Sequence, residues 1–473
     1  MMPLPWDKWR GGLPPKDKCI RQNGPMGAPV RILVLGGGYV GLYTCLGLER
    51  ALARRSGSGT GTTEITMVSI ESFMQYQPFL PEAAAGNIEP RHVVVPLRRT
   101  LKRTRVIVGE ATAVDHGART ATIRPTEGRE IQLPYDHLVV GLGSVSRVLP
   151  VPGLAEQAIG FKSVSEAIYL RNRVLSRLDL AETTTDPDLR RKALTFLFVG
   201  GGYAGVEALA ELEDLARDAT RYYRNVTRAD MRWCLVEAAG SILPEIGPKL
   251  AAHALRTLRK RDIDVRLNTR LDSATGGVMK LSDGETFEAE TLVWTTGVKA
   301  HPLTGTLGFP LDERSRIVVD RYLRVEGIEG AWAAGDCSAV PDLDLGGTNP
   351  PTAQHALRQA RRLARNLSAT IRGKGLREYR YKNKGGLVSL GRYKGVARVM
   401  GIQLRGFPAW FLHRTYHVAM IPTINRKVRV LVDWTVALFF KRDIVQLGSL
   451  SEPRSSFAQA FDEPPPGEPE AHS

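Results

Sequence analysis

Two stretches of the chain run through the same order of apolar and polar positions. Arg31–Leu35 is a short apolar strand that enters Gly36-Gly37-Gly38-Tyr39-Val40-Gly41, and Leu42–Arg55 follows with a helical pattern. After the Gly/Ser/Thr-rich loop Ser56–Thr63, Glu64–Val68 reads as a second strand. The order returns 164 residues later, where Phe196–Val199 leads into Gly200-Gly201-Gly202-Tyr203-Ala204-Gly205. A helix is expected there through Glu213, then a strand over Met231–Val236 that ends on Glu237. One glycine-rich loop of this kind is a weak signal; two with the same GGGYxG core, each between an apolar strand and a helix, are a strong one.

The glycines have separate steric tasks. The first permits the tight turn, the second lets backbone approach a pyrophosphate, and the third packs helix against strand. Gly36, Gly38 and Gly41 are therefore expected to hold one dinucleotide, and Gly200, Gly202 and Gly205 another, each pyrophosphate resting on a helix N-terminus. An acid at the end of the second strand takes the adenosine ribose hydroxyls. Glu237 fits that role and favours NADH, because a 2′-phosphate would meet its carboxylate. In the first unit the matching place is Ser69, so the choice falls on Glu71 two residues further on.

Three more apolar strands end on glycine: Leu138–Val140 before Gly141-Leu142-Gly143-Ser144, Leu292–Trp294 before Thr295-Thr296-Gly297, and Ala331–Ala334 before Gly335-Asp336. Ala353–Leu367 reads as a helix. Near the end, Leu431, Trp434 and Leu438 fall on one helical face.

The sequence carries a net charge of +16, and its placement matters more than its size. Leu357 to Arg442 holds 20 Lys/Arg against only Glu378 and Asp433, a local balance of +18 that leaves −2 for the rest. Aromatic and aliphatic residues interleave with those cations from Pro408 to Phe440. Such a segment suits a helix lying on an anionic leaflet. No nucleic-acid motif accompanies the charge, so nucleic acid is not an expected partner. No apolar run reaches the ~18 residues that a membrane-spanning helix needs. The four cysteines, Cys19, Cys45, Cys234 and Cys337, include no CxxC pair, which speaks against a dithiol centre or a metal site.

The glycine-ending strands and the Gly335-Asp336 pair resemble the crossovers and second FAD motif of flavoprotein reductases with two dinucleotide-binding domains. Gln77-Pro78-Phe79-Leu80, Ala85-Gly86, Val95-Pro96-Leu97-Arg98, Gly205-Val206-Glu207, Pro350-Pro351-Thr352-Ala353-Gln354 and Gly406-Phe407-Pro408-Ala409-Trp410 narrow the match. Together they resemble the type II NADH:quinone oxidoreductases, over residues 31 to 450. The resemblance implies non-covalent FAD, contacted at Tyr39, Val40, Gln77, Gly143, Gly297, Gly335, Asp336 and Ala353, with NADH as hydride donor. It implies two-electron transfer to a membrane quinone, menaquinone or ubiquinone, without proton pumping. It places Glu207 near the flavin–nicotinamide contact and Gln354 at the quinone headgroup. Where the family has a second glutamine four residues on, this chain has Arg358, either a candidate catalytic cation or one of a solvated basic face with Arg361, Arg362 and Arg365.

The expected architecture is an α/β, glutathione-reductase-like fold with two Rossmann-type dinucleotide-binding domains. The FAD domain spans 29–158 and 305–375, around an NADH domain at 159–304. A membrane-associating segment follows at 376–450, with disordered ends at 1–28 and 451–473. The expected location is peripheral, on the cytoplasmic face of the cell membrane, and a homodimer stays open. The competing expectation is a soluble NADH-dependent flavoprotein reductase or oxidase with a protein or oxygen as acceptor. Sulfide:quinone oxidoreduction would need paired redox cysteines, and Cys337 has no evident partner.

Overall fold

A computed structural model describes residues 29–52, 63–381 and 385–446. The leader at 1–28, the tail at 451–473, Cys19 and nearly all of the Ser56–Thr63 loop lie outside the described residues.

β1 (Val30–Leu35) enters α1 (Tyr39–Leu52) and β2 (Thr63–Ser69). The short α2 (Leu80–Ala84) precedes β3 (Thr104–Asp115), β4 (Thr120–Pro125), β5 (Ile131–Pro134) and β6 (His137–Val140). β7 (Ala158–Gly160) and α3 (Val164–Thr183) lead to β8 (Thr195–Val199) and α4 (Tyr203–Ala219). β9 (Arg232–Val236), β10 (Ile263–Arg266) and β11 (Thr291–Trp294) follow. β12 (Ala331–Ala333) and α5 (Ala353–Ile371) come next. The chain then forms β13 (Gly385–Ser389), β14 (Gly395–Val399), β15 (Ile402–Arg405), α6 (Phe407–Met420) and α7 (Ile424–Phe439).

The first sheet has the order β12-β6-β1-β2-β3-β4-β5, parallel from β12 to β3. β12 belongs to it although the second sheet's strands intervene in sequence. That second sheet, β7-β11-β8-β9-β10, is parallel throughout. Parallel strands covered on both faces read as unbroken apolar runs, as in Phe196-Leu197-Phe198-Val199, where every residue is buried. The two glycine loops sit in equal register, since Leu35 pairs with Val68 and Val199 with Val236. This is the glutathione-reductase-like α/β arrangement, two Rossmann-type units with a third, antiparallel sheet (β13-β14-β15) and two helices at the C-terminal end.

The helices differ from their expected bounds. α1 begins at Tyr39, three residues earlier than expected, because the loop glycines turn straight into it. α4 continues past Glu213 to Ala219. Its acids, Glu207, Glu211, Glu213 and Asp214, are buried rather than marking a polar end. α5 runs four residues beyond Leu367, to Ile371.

The face expected from Leu431, Trp434 and Leu438 is divided. Trp434 turns inward, edge-on to Phe79 at 5.7 Å, and its indole N–H donates to Glu82 at 2.8 Å. Val430 is fully buried, and the Asp433 carboxylate takes the Glu89 N–H and meets His92. Leu431 and Leu438 instead join Ile424, Val428, Val432 and Phe439 on an exposed face. A buried carboxylate needs donors, and Glu82 draws the tryptophan inward. No helix among the described residues is long and apolar enough to cross a membrane.

Candidate functional site

The two glycine loops are built alike. Gly36 N–H donates to Val68 O at 2.8 Å, and Gly200 N–H to Val236 O at 2.9 Å. Gly36 has φ +103° and Gly200 +114°, where a side chain would be strained. A Cβ on Gly36 would strike the Gly141 backbone, and one on Gly41 or Gly205 would strike the carbonyl of its own loop's first glycine. Gly38 and Gly202 differ, because nothing lies within 4 Å of the Cβ each lacks. Open space over the second glycine, facing a helix N-terminus, is the cradle that a pyrophosphate fills.

At the second strand's end Glu237 lies beside its loop, accepting from Gly201 N–H at 2.6 Å and Ala239 N–H at 2.7 Å. Ser69 occupies the matching place in the first unit, buried against Gly37. Glu71 is exposed in the bend beyond it. Gln77 is exposed as well, at the start of a single 3-10 turn.

Asp336 is held from a direction the sequence did not reveal. Ser144 Oγ donates to its carboxylate at 2.7 Å, and Lys162 Nζ donates to Ser144 Oγ at 2.6 Å. Burial lowers the Lys162 pKa, and the charges of Asp336 and Glu166 oppose that shift. Gly335 has φ +79°, and its N–H is fixed by Gln359 Oε1 at 2.8 Å. A small open cleft adjoins them, lined among others by Asp336, Asn349, Thr352, His355 and Gln359.

Gln354 and Arg358 meet at one side chain. Tyr381 Oη donates to Gln354 Oε1 at 2.9 Å, while the Arg358 guanidinium stacks 4.1 Å from the Tyr381 ring centroid. Arg358 also donates to the Gln354 backbone carbonyl at 2.9 Å. It is half-buried, whereas Arg361 and Arg365 on the same helix are exposed. Neither Gln354 nor Arg358 lines the cleft beside Asp336.

Glu207 is not an exposed acid of a first helical turn. It begins the second turn of α4 and is buried under the C-terminal unit, where Ser389 N–H donates to its Oε1 at 2.8 Å and His413 Nε2 lies 3.2 Å from the same oxygen. Ser389 Oγ donates to the next buried acid, Glu211, at 2.9 Å, and Asn87 donates to its other oxygen at 3.0 Å. Burial, reinforced by Glu82 and Asp214, pushes the Glu211 carboxyl up to about 7. Glu82 is paired with Arg414 at 2.6 Å. The sequence held one unused signal here, His413 and His417 spaced four apart in a largely apolar helix that also carries Arg414.

Cys337 is buried with its thiol directed at the Val140 and Ala334 carbonyls, and Cys45, Cys234 and Cys337 are all free. Burial pushes the Cys337 thiol up to about 11. A reactive thiolate needs the opposite environment.

Residues 30–360 match the family model of pyridine nucleotide-disulphide oxidoreductases. The type II NADH:quinone oxidoreductase Ndh of Mycobacterium tuberculosis is 30% identical over 431 residues, covering 87% of this chain and 89% of that protein. The external alternative NADH-ubiquinone oxidoreductase of Yarrowia lipolytica mitochondria is 28% identical over 454 residues, covering 81% and 77%. Among solved structures, NDH2 of Plasmodium falciparum in complex with NADH aligns with a TM-score of 0.80 at 16% identity, covering 88% of this chain and all of that one. On the extent of the family match and the identity to the mycobacterial enzyme, this chain belongs to the type II NADH:quinone oxidoreductases, within the pyridine nucleotide-disulphide oxidoreductase family.

Proposed function

We propose that the protein oxidises NADH and passes two electrons through FAD to a quinone held in the membrane on which it lies, without pumping protons. The observation that carries this reading is the pair of equivalent glycine loops, each with open space over its second glycine, in a chain of this family. FAD supplies the two-electron acceptor that the side chains of this protein lack. The protein's own residues bind and orient. The loop N–H groups at the second glycines, Gly38 and Gly202, take the pyrophosphates, and Asp336, braced by Ser144, takes flavin chain hydroxyls. On this reading Gly143, Gly297 and Ala353 would let backbone approach the ring system, and Glu71 would serve the first ribose.

Glu237 sets nucleotide choice. Each of its oxygens accepts one backbone N–H and keeps a lone pair for a ribose hydroxyl. A 2′-phosphate there would face a fixed negative charge. NADH is therefore expected to exceed NADPH in kcat/KM by at least tenfold, about 1.4 kcal/mol, with Glu237→Gln narrowing the gap. Equal use of both by the wild type would remove Glu237 from the ribose.

At the acceptor end, Tyr381 occupies the Gln354 carbonyl oxygen, which leaves the amide N–H groups free to donate to a quinone oxygen. Arg358, locked on the same ring, adds a cation that favours charge arriving on that oxygen.

The membrane reading rests on α7. Its outward face presents Ile424, Val428, Leu431, Val432, Leu438 and Phe439. Arg426, Arg429 and Lys427 flank it, and Arg99 stands close enough to Arg426 to lower its pKa further once burial has done so. An apolar face rimmed by cations fits an anionic leaflet. A soluble reductase with a protein or oxygen acceptor has no use for such a face. A second copy covering it is the competing occupant. The cytoplasmic side is the side on which NADH is available.

NADH-dependent quinol formation in anionic liposomes tests both parts. Leu431→Asp with Phe439→Asp, two exposed positions, should cut liposome binding at least tenfold, since each buried apolar side chain contributes about 1.5–3 kcal/mol. The same variant should keep its reaction with a water-soluble quinone. Raised salt should weaken wild-type binding. Unchanged sedimentation of the variant would show that the face serves another purpose. Deleting residues 406–473 is a poor substitute, because it strips Glu82 and Glu207 of Arg414, Trp434 and His413.

A further inference from the structure

Reduction of a quinone by NADH has the balance NADH + H⁺ + Q → NAD⁺ + QH₂. The hydride brings two electrons and one proton, so one proton per turnover must enter from solvent. The pyrophosphate loops and the Gln354–Arg358 pair supply no buried acid for that proton. A set of titratable groups packed one against the next lies elsewhere, between α4, α6 and Tyr76.

We infer that His413 is a proton carrier, taking protons from the Glu207 carboxyl and handing them through His417 to the Tyr76 hydroxyl beside the acceptor. This rests on quinone being the acceptor. His413 is buried, its Nε2 is 3.2 Å from Glu207 Oε1, and its Nδ1 is buried with no hydrogen-bond partner. A neutral imidazole carries one N–H and one lone pair, so a proton accepted at one nitrogen is released from the other. His417, one turn along α6, packs against it edge to face with ring centroids 4.6 Å apart. His417 Nδ1 is 3.0 Å from Tyr76 Oη. Desolvation, with His413 adding to it, holds the His417 pKa well below the ordinary imidazole range. It is therefore neutral at rest, and a proton reaching it is passed on rather than held.

Both ends lead where such a relay needs to lead. Upstream, Ser389 holds Glu207 and Glu211 side by side, donating by its N–H to the first and its hydroxyl to the second. The charges around this pair are Glu82 from α2 with its partner Arg414, Asp214 from α4, and Arg442. Arg442 reaches the partly exposed Asp218 at 3.7 Å, toward solvent. Burial raises the Glu211 pKa above the ordinary carboxylate range, so it can hold a proton beside Glu207. Downstream, the Tyr76 ring is 6.2 Å from that of Tyr39, whose hydroxyl is buried without a partner. Tyr39 is the first residue of α1, above the pyrophosphate loop, and packs with Tyr43 against Leu357 and Ala360 of α5, the helix that carries Gln354.

The test separates electrons from protons. Protein reduced by NADH is mixed with a short-chain ubiquinone, which takes both, or with ferricyanide, which takes electrons alone. His413→Gln and His417→Gln should slow reoxidation by quinone at least tenfold and reoxidation by ferricyanide less than twofold. Imidazole should restore part of the quinone rate to His413→Ala. Wild-type quinone rates in both glutamine variants would overturn the inference, and so would equal loss with both acceptors and no rescue. Infrared titration of the resting protein gives an independent reading. The buried carboxyl C=O band should titrate near neutral pH and shift its midpoint in His413→Gln, and an unmoved midpoint would overturn the relay. If the wild type were reoxidised by ferricyanide but by no quinone, the functional reading would fail, while the infrared midpoint would still decide whether His413 shares protons with the carboxylates.

Discussion

Arg414→Ala is expected to destabilise the protein by about 3–5 kcal/mol, the cost of leaving one partner of a buried ion pair uncompensated. The guanidinium is 2.6 Å from Glu82, with side-chain exposures of 12% and 2%. It also stacks 4.2 Å from the Trp410 ring and 4.6 Å from the Trp434 ring. Trp434 donates to the same Glu82 oxygen, so the pair joins α2 to both C-terminal helices. Truncation leaves Glu82 charged in an apolar surround with a single indole donor. Glu82→Gln combined with Arg414→Met should recover much of the loss, because a neutral pair of similar volume needs no solvation. Tryptophan fluorescence during denaturant unfolding measures the change. A loss below about 1 kcal/mol, the range of surface pairs, would show that the C-terminal helices are only loosely seated.

Asp336→Ala is expected to leave protein that purifies with little flavin. Hydrogen bonds to a charged group contribute about 1.5–3 kcal/mol each, a factor of roughly 10 to 150 in FAD affinity. Asp336 follows a glycine at φ +79°, and Ser144 and Lys162 brace it. Ser144→Ala should weaken flavin binding less, since it removes the brace and keeps the carboxylate. Flavin absorbance per protein after dialysis decides this. Full occupancy in Asp336→Ala would move the flavin chain elsewhere.

The glycine loops were legible in the sequence because their chemistry is local. A turn that only glycine makes, and a helix start that follows at once, lie within six residues of each other. Glu237 was legible for the same reason, one residue past a strand. The first unit has no acid at the matching strand end, because Ser69 takes that position and Glu71 lies exposed beyond it. What could not be read was pairing across long separations. The acids of α4 look like a polar helix end until Ser389 and Arg392, each 178 or more residues away, are seen to donate to them. The outward face of α7 was misassigned at Trp434 because Glu82, 352 residues earlier, pulls that side chain inward. Arg358 stood out in the sequence only by the family comparison; its half-burial and its stacking on Tyr381 set it apart from Arg361 and Arg365.

The central claim is electron transfer from NADH to quinone, and an anaerobic titration tests it directly. Adding NADH to the yellow protein should bleach the flavin at one equivalent per FAD, and a short-chain menaquinone or ubiquinone added afterwards should restore the colour with one quinol formed per NADH. Flavin that NADH bleaches and that only oxygen or a protein acceptor reoxidises would contradict the account.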